Sequence, residues 1–343
     1  METEHRIHVG DARDMAALSD DSVELVVTSP PYPMIEMWDD LFAELDHRIE
    51  DLLAEGDGEA AFEAMHAALD PVWDELSRVL VEGGVAAVNV GDATRSVGDG
   101  FQLYPNHAEL ITRFRERGFD LLPDVLWRKP ANRLTKFMGS GMVPPNAYAT
   151  LEHEYVLLFR NGGESRSFET GAERRYEAAY FWEERNDWFS DLWTDVQGEG
   201  QQLDHDELRT RSAAFPFEVP YRLVNMYSVY GDTVLDPFWG TGTTTLAAMV
   251  AGRNSVGYEL SREFREVFDD RLTEIGAFAD EKNRERLAVH REFAADQQLG
   301  YESENYDFQV KTKQERQLQL YTVEEYRQDG DRYVVSHRPF SDE

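Results

Sequence analysis

The sequence predicts an α/β protein built on a doubly wound, mostly parallel sheet, and three observations predict it. Short apolar runs such as Val23–Thr28 (VELVVT) are nearly continuous, as in strands buried on both faces. These runs alternate along the chain with helical segments, the pattern of crossover connections. One strand leads through Gly240-Thr241-Gly242 directly into a helical segment, a turn that lets backbone approach a ligand. With 343 residues, 41% hydrophobic and 12% aromatic, the chain is long enough for one large domain with insertions.

Taken in order, Arg6–Gly10 reads as a strand ending at Gly10-Asp11, and Val23–Thr28 as the next. Trp38–Leu69 places Leu41, Leu45, Ile49, Leu52 and Leu53 at helical spacing, interrupted at Gly56-Asp57-Gly58. It reads as a helical insertion over residues 38–70. Pro71–Leu80 reads as a separate helix closed by Gly83-Gly84, and Val85–Val90 as a strand. Asn106–Arg117 is a helix stopped by Gly118; Leu121–Trp127 and Tyr155–Arg160 are strands. Residues 161–212 lack periodicity but hold Tyr176, Tyr180, Phe181, Trp182, Trp188, Phe189 and Trp193. Then follow helix Pro220–Tyr230, strand Thr233–Leu235, helix Thr243–Ala251, strand Ser255–Tyr258 and helix Glu263–Ile275. Beyond residue 277 the chain is polar, with strand-like pieces at Phe308–Lys311 and Tyr333–Ser336 and no predicted place in the fold.

Composition excludes several classes. Without a cysteine there is no disulfide, thiolate metal site or cysteine nucleophile. The nine histidines are scattered and suggest no metal site. No apolar run reaches the ~18 residues of a membrane span, and METEHRIHVG lacks the pattern of a secretory leader. A cytoplasmic location is expected. The net charge is -33, from 34 Lys+Arg against 67 Asp+Glu, with only five lysines, the first at Lys129. An acid-rich, lysine-poor, aromatic-rich chain resembles proteins of salt-loving archaea, whose carboxylates keep the surface hydrated while salt screens their repulsion. Net charge alone points away from a nucleic-acid partner. In molar salt, where the Debye length is about 3 Å, local patches matter more.

Two motifs carry chemistry. Thr28-Ser29-Pro30-Pro31-Tyr32 follows a buried strand. Its prolines fix φ and remove N–H donors, leaving a rigid loop with a hydroxyl, carbonyls and an aromatic ring. It stands at the carboxyl end of a strand, where open α/β sheets bind ligands. Asp236-Pro237-Phe238-Trp239-Gly240-Thr241-Gly242-Thr243 is the second. It lacks the lysine of a phosphate-binding loop and a third glycine. Glu259, ending the following strand, stands where nucleotide-type folds keep an acid for ribose hydroxyls.

Together the two motifs resemble the S-adenosylmethionine-dependent DNA amino-methyltransferases, which modify cytosine N4 or adenine N6. Ser-Pro-Pro-Tyr preceding Phe-x-Gly-x-Gly is the permuted order called class β. Gly10-Asp11, Arg78-Val79-Leu80 with Gly83-Gly84, Trp127-Arg128-Lys129, Glu154–Phe159 and Ala214–Pro220 also fit, so that the resemblance spans about residues 6–275. It implies a class I methyltransferase fold, with catalytic half 1–160, a target-recognition region 161–212, cofactor-binding half 213–276, and an extension 277–343. It implies that Phe238, Gly240 and Gly242, with Pro237 and Thr243 beside them, line the cofactor. Asp236 would lie near its amino group, Glu259 would bind its ribose and Asp11 would meet its adenine. Ser29, Pro30, Pro31 and Tyr32 would hold the target base, with Tyr32 stacking on it. Serine in the first motif position is the usual cytosine-N4 pattern; Asp or Asn there is more typical of adenine-N6. The missing cysteine excludes methylation at cytosine C5. The partners implied are double-stranded DNA, at a short palindrome such as CTAG, and a cognate restriction endonuclease. The alternatives are an adenine-N6 enzyme and a non-catalytic DNA-binding relative.

From Val125 to Thr150 there is no acid, in a chain with 67 of them, and this segment carries Arg128, Lys129, Arg133 and Lys136. Gly139, Gly141, Pro144 and Pro145 make its second half a loop. It reads as the path of the DNA backbone. The charge reading carries its own test. Moving from molar salt to roughly 0.1 M, where the Debye length is about 10 Å, should lower activity and melting temperature. Dichroism melts across a salt series check this, and an unchanged melting temperature would refute it.

Overall fold

The computed structural model describes residues 1–98, 100–129, 138–197 and 215–341. Eleven strands of the described residues form one sheet. In chain order they are β1 (Glu2–Val9), β2 (Val23–Thr28), β3 (Leu80–Val90), β4 (Phe119–Leu121), β5 (Val125–Arg128), β6 (His153–Asn161), β7 (Leu192–Trp193), β8 (Thr233–Asp236), β9 (Asn254–Glu259), β10 (Tyr321–Asp329) and β11 (Arg332–Pro339). Their spatial order is β7-β5-β6-β3-β2-β8-β9-β1-β11-β10, with β4 beside β6. The central five, from β3 to β1, are mutually parallel. Strand β6 runs antiparallel to β3 and β5, and the β10–β11 hairpin closes the far edge antiparallel to β1.

The helices are α1 (Asp39–Leu45), α2 (Arg48–Glu55), α3 (Gly58–Val79), α4 (Asn106–Glu116), α5 (Glu218–Tyr227), α6 (Thr243–Ala251), α7 (Glu263–Leu272) and α8 (Ile275–Ala295), with short turns at Glu173–Glu177 and Trp182–Trp188. The pleat explains why β2 reads as continuously apolar. Leu25 and Val27 enter a core layer with α5, α6 and α7, whereas Val26 enters the opposite layer with α3 and α4.

Four sequence expectations are corrected. Pro71 does not start a helix; it lies inside α3. A proline inside a helix costs about 3 kcal/mol. Leu69, Val72, Trp73 and Leu76 continue the buried face across it and offset that cost. Gly83-Gly84 does not close a helix but lies within β3, where the register against β2 jumps between Val23 and Leu25. Gly83 has φ +76, and a Cβ there would meet the Arg166 backbone at 2.5 Å. The strand predicted at Leu121–Trp127 divides into β4 and β5 around Pro123, which has no N–H to give the ladder. The extension after 277 is part of the domain: α8 packs on β10, and β11 pairs with β1.

That last pairing buries polar groups. Thr3 Oγ1 lies 2.9 Å from both His5 Nε2 and His337 Nε2, and His5 Nδ1 lies 2.8 Å from Ser255 Oγ. Burial first, then the neighbouring His337, lowers the His5 pKa to about 3; burial, then the terminal ammonium, lowers that of His337 to about 4. In the unfolded chain both imidazoles titrate near 6.5. Stability is therefore intact above pH 6.5 and drains away as pH falls from there toward 4 and 3. The melting temperature should fall over that window, and less steeply in His5→Gln. Parallel calorimetric curves for the two proteins would contradict this.

Candidate active site

Strands β2 and β8 pair in parallel, Leu25 with Val234 and Val26 with Leu235, so the loops after them emerge side by side. Thr28 Oγ1 donates to Asp236 Oδ1 at 2.7 Å, and the Phe238 N–H reaches the same oxygen at 3.1 Å. Burial raises the Asp236 pKa to about 6, opposed by hydrogen bonds from Thr28, Thr244 and Phe238. Beyond Asp236 the chain turns through Gly240 (φ +52) and Gly242 (φ +75) into α6. A Cβ on Gly242 would lie 2.4 Å from the Phe268 ring, and one on Gly257 would lie 2.2 Å from Trp239. Both glycines make room for Trp239, which is buried under the loop. Glu259, ending β9, accepts the Gly240 and Ser261 N–H groups, each at 2.9 Å. Burial raises its pKa, and those backbone donors oppose the rise.

A cavity of about 470 Å³ opens at these strand ends. Its wall includes Asp11, Ser29, Pro30, Pro31, Asp236, Pro237, Phe238, Gly240, Thr243 and Glu259. The structure thus brings together ten residues that the sequence singled out. Gly242 stays behind the wall, in the turn. Asp11 has its carboxylate engaged by Arg13, at 2.7 and 2.8 Å. Burial pushes the Asp11 pKa up, but the Arg13 hydrogen bonds outweigh it and leave the carboxyl below its ordinary value. Sequence reasoning missed the roof: Met37, Trp38, Leu41, Leu69 and Val72, all from the stretch between β2 and β3, also line the cavity. Their signal was the helical spacing of leucines, read only as packing.

The wall carries five acids, Asp11, Asp40, Glu44, Asp236 and Glu259, against one cation, Arg13. Such a cavity favours a ligand with positive charge and an apolar ring, held beside Phe238.

Ser29 Oγ stands 2.9 Å from Tyr32 Oη. Tyr32 is buried, and its hydroxyl also meets Glu154 and Asn89. Glu154 and Asn89 were not anticipated as site residues, although Glu154 lies within a quoted motif. The loop is anchored further along. Asn106 Nδ2 donates to Pro33 O at 3.1 Å and Gly91 O at 3.0 Å, and Met34 adopts φ +67. Arg128 is exposed and pairs with Glu152 at 3.0 Å; Lys129 pairs with Glu154. Arg133 and Lys136 lie outside the described residues, as does part of the expected recognition region. Within 161–197, Arg166 holds Asp232 at 2.7 Å, at the amino end of β8, opposite Ser29. Phe181, Trp188 and Trp193 are buried core.

The N6_N4_Mtase family, described as DNA methylase, matches residues 23–270. The chain belongs to this DNA methylase family. The methylase is 53% identical over 330 residues to the Type II methyltransferase M.MthZI of Methanothermobacter thermautotrophicus, covering 95% of this chain and 93% of that one. It is 47% identical to M.MjaI of Methanocaldococcus jannaschii over 281 residues, 79% of this chain and 91% of that one. Among solved structures, TTHA0409 of Thermus thermophilus in complex with S-adenosyl-L-methionine superposes with a TM-score of 0.60 at 34% identity, covering 79% and 95% of the two chains. The PvuII cytosine-N4-specific methyltransferase shares the fold, with a TM-score of 0.50 at 18% identity over 80% of this chain and 91% of its own. The methylase uses S-adenosylmethionine, and the acid-lined cavity with its Phe238 ring and glycine turn fits that sulfonium-bearing molecule. No helix among the described residues is long and apolar enough to cross a membrane.

Glu259→Ala removes the carboxylate that also holds the Gly240 backbone. A charge-assisted bond is worth about 1.5–3 kcal/mol, so affinity for S-adenosylhomocysteine should fall about ten- to a hundredfold. Titration calorimetry reads this directly; unchanged affinity would remove Glu259 from the cofactor site.

Proposed function

We propose that the methylase is a site-specific Type II enzyme that methylates cytosine N4 in a short duplex site such as CTAG, in the class β arrangement. The observation that carries the base assignment is Ser29, whose hydroxyl edges the cavity at the first position of Ser-Pro-Pro-Tyr. The Type II names of its relatives support a defined recognition site and a restriction partner. S-adenosylmethionine, when bound, supplies an electrophilic methyl group. The protein's part is positioning. An exocyclic amine is a poor nucleophile because its lone pair is delocalised into the ring. Hydrogen bonds from its N–H groups to Ser29 Oγ and the Pro30 carbonyl draw the nitrogen toward sp³ geometry and aim the lone pair. A stacked base cannot reach this cavity, so the target nucleotide is taken out of the helix.

For the DNA path we keep Val125–Thr150. Its described part follows β5 at the carboxyl end of the sheet, the end that bears Ser29, and carries exposed Arg128, Met142 and Val143. The described residues of the 161–212 region reach both ends of the sheet: Arg166 holds Asp232 at the amino end, whereas Trp193 pairs with Trp127 in β5. An acidic surface of the halophilic kind leaves this segment without acids.

Mass spectrometry of nucleosides from treated DNA decides the base: N4-methylcytosine supports the proposal, N6-methyladenine replaces it with the adenine reading, and no methylated base leaves a DNA-binding relative. Ser29→Ala should lower turnover by roughly 10²–10³-fold while S-adenosylhomocysteine affinity stays within a few-fold. Turnover near wild type would show that Ser29 does not hold the amine.

A further inference from the structure

Four side chains stand behind Ser29 and none has a role in cofactor binding. Tyr32 Oη lies 3.2 Å from Glu154 Oε2, and Asn89 Nδ2 lies 2.9 Å from Tyr32 Oη and 2.7 Å from Glu154 Oε2. Lys129 Nζ pairs with the other oxygen, Oε1. Asn89, Tyr32 and Glu154 are all buried, and Asn89 and Glu154 come from the neighbouring strands β3 and β6, with Val156 opposite Asn89.

The hydrogens of this cluster can be counted. Glu154, paired with Lys129, is a carboxylate and has none to give. Asn89 must turn its amide nitrogen toward that carboxylate, because its oxygen would face negative charge. The orientation leaves Asn89 Oδ1 buried without a partner. An orphaned buried acceptor is costly, and a fold keeps one where it serves some other end. Tyr32 has a single hydroxyl hydrogen, and Glu154 takes it. Toward Asn89 and Ser29 the Tyr32 oxygen can only accept. Ser29 must then donate inward, to Tyr32, and its lone pairs face the cavity.

We infer that Glu154, acting through Tyr32, sets Ser29 as a hydrogen-bond acceptor toward the target amine and takes up the proton that the amine releases. This rests on the reading that a base amine docks on Ser29. Methyl transfer forms the N–C bond and breaks the sulfonium S–C bond. The amine then loses one N–H proton to Ser29 Oγ, Ser29 passes its own to Tyr32, and Tyr32 passes its own to Glu154. The sulfonium charge and the carboxylate charge disappear together, and the charge that remains is that of Lys129, whose side chain is half-exposed. Tyr32 suits this relay: burial first, and Glu154's charge next, hold its O–H well above the ordinary tyrosine range, so it hands on one proton only as it receives another. Glu154 is a positioning residue and terminal proton acceptor.

The test reads hydrogen-bond polarity by binding, without turnover. Duplexes carry cytosine or uracil at the mapped target, opposite an abasic site so that pairing does not differ, with S-adenosylhomocysteine present. Adenine and hypoxanthine replace them if adenine is the modified base. Wild type should prefer the amine. In Glu154→Gln the new amide donates to Tyr32, Tyr32 turns its hydrogen to Ser29, and Ser29 donates outward. The amine preference should fall by about tenfold or more, the worth of one hydrogen bond to a polar partner. Single-turnover rate should fall roughly 10²-fold, with KM for the cofactor unchanged. Tyr32→Phe, which leaves Glu154, Asn89 and Lys129 together, should also lose rate and preference. An unchanged amine preference and rate in either variant would overturn the inference, as would an equal loss of affinity for both bases. Absence of any methylated base with wild-type enzyme would instead overturn the proposed function.

Discussion

The molecule depends on one pairing, that of β2 with β8. It joins segments 208 residues apart at Thr28 and Asp236, and their hydrogen bond ties the Ser29–Tyr32 loop to the Gly240 turn. Every other element of the site takes its place from that seam. Strand β9 lies next to β8, so Glu259 ends beside the Gly240 turn. Strand β1 lies next to β9, so Asp11 follows on the same rim. Strand β3 flanks β2 on the other side and delivers Asn89 to Tyr32. The order of the strands in space, unlike their order in the chain, reverses direction at this seam, and a crevice forms at such a point in doubly wound sheets.

The carboxylates of the site are held differently from those of the surface. Surface acids such as Asp46, Asp74 and Asp120 pair with arginines. Asp236 and Glu259 are satisfied by hydroxyl and backbone donors, with no cation in direct contact among the described residues. Dipoles of this kind hold a charge in place while leaving it uncompensated at longer range, which is why burial still raises both pKa values. The negative potential that remains is available to a cationic ligand. A lysine or arginine paired with either carboxylate would have neutralised that potential and weakened the site.

How much of this was legible in the sequence follows from the kind of signal each element leaves. Thr243–Ala251 and Val23–Thr28 were read with the bounds observed, because a buried strand and a helix between two glycines are each marked locally. Ten cavity residues were legible because backbone chemistry at strand ends, glycines, prolines and a closing acid, is also local. The helix through Pro71 was not, since what holds it is Trp73 and its neighbours packing across the sheet. The extension after 277 was not, since β11 gains its partner from β1, more than three hundred residues earlier in the chain. Asn89 and Glu154 were missed for the same reason: each is an ordinary polar residue within a strand, and only the register of β3 against β6 brings both to Tyr32. The sequence shows the charge of Lys129 without showing its partner, Glu154.

The rigidity of the Ser29–Pro33 loop is the remaining physical question, and three prolines in four positions supply only part of the answer. Pro30, Pro31 and Pro33 fix φ and have no N–H of their own to donate. The loop still has to turn back toward α1, and it does so at Met34, in the left-handed region at φ +67. For a residue with a side chain that conformation costs on the order of 1 kcal/mol or more. It is maintained because the residue is over-determined: its side chain is buried, and Asn106, itself hydrogen-bonded to His66 at 3.0 Å, clamps the preceding Pro33 carbonyl together with that of Gly91. A glycine at position 34 would relieve the strain and let the loop move. The strain thus marks a loop whose geometry is set before substrate arrives, and methyl transfer to so weak a nucleophile needs that order of events, because a loop organised only during the reaction would add its ordering entropy to the barrier.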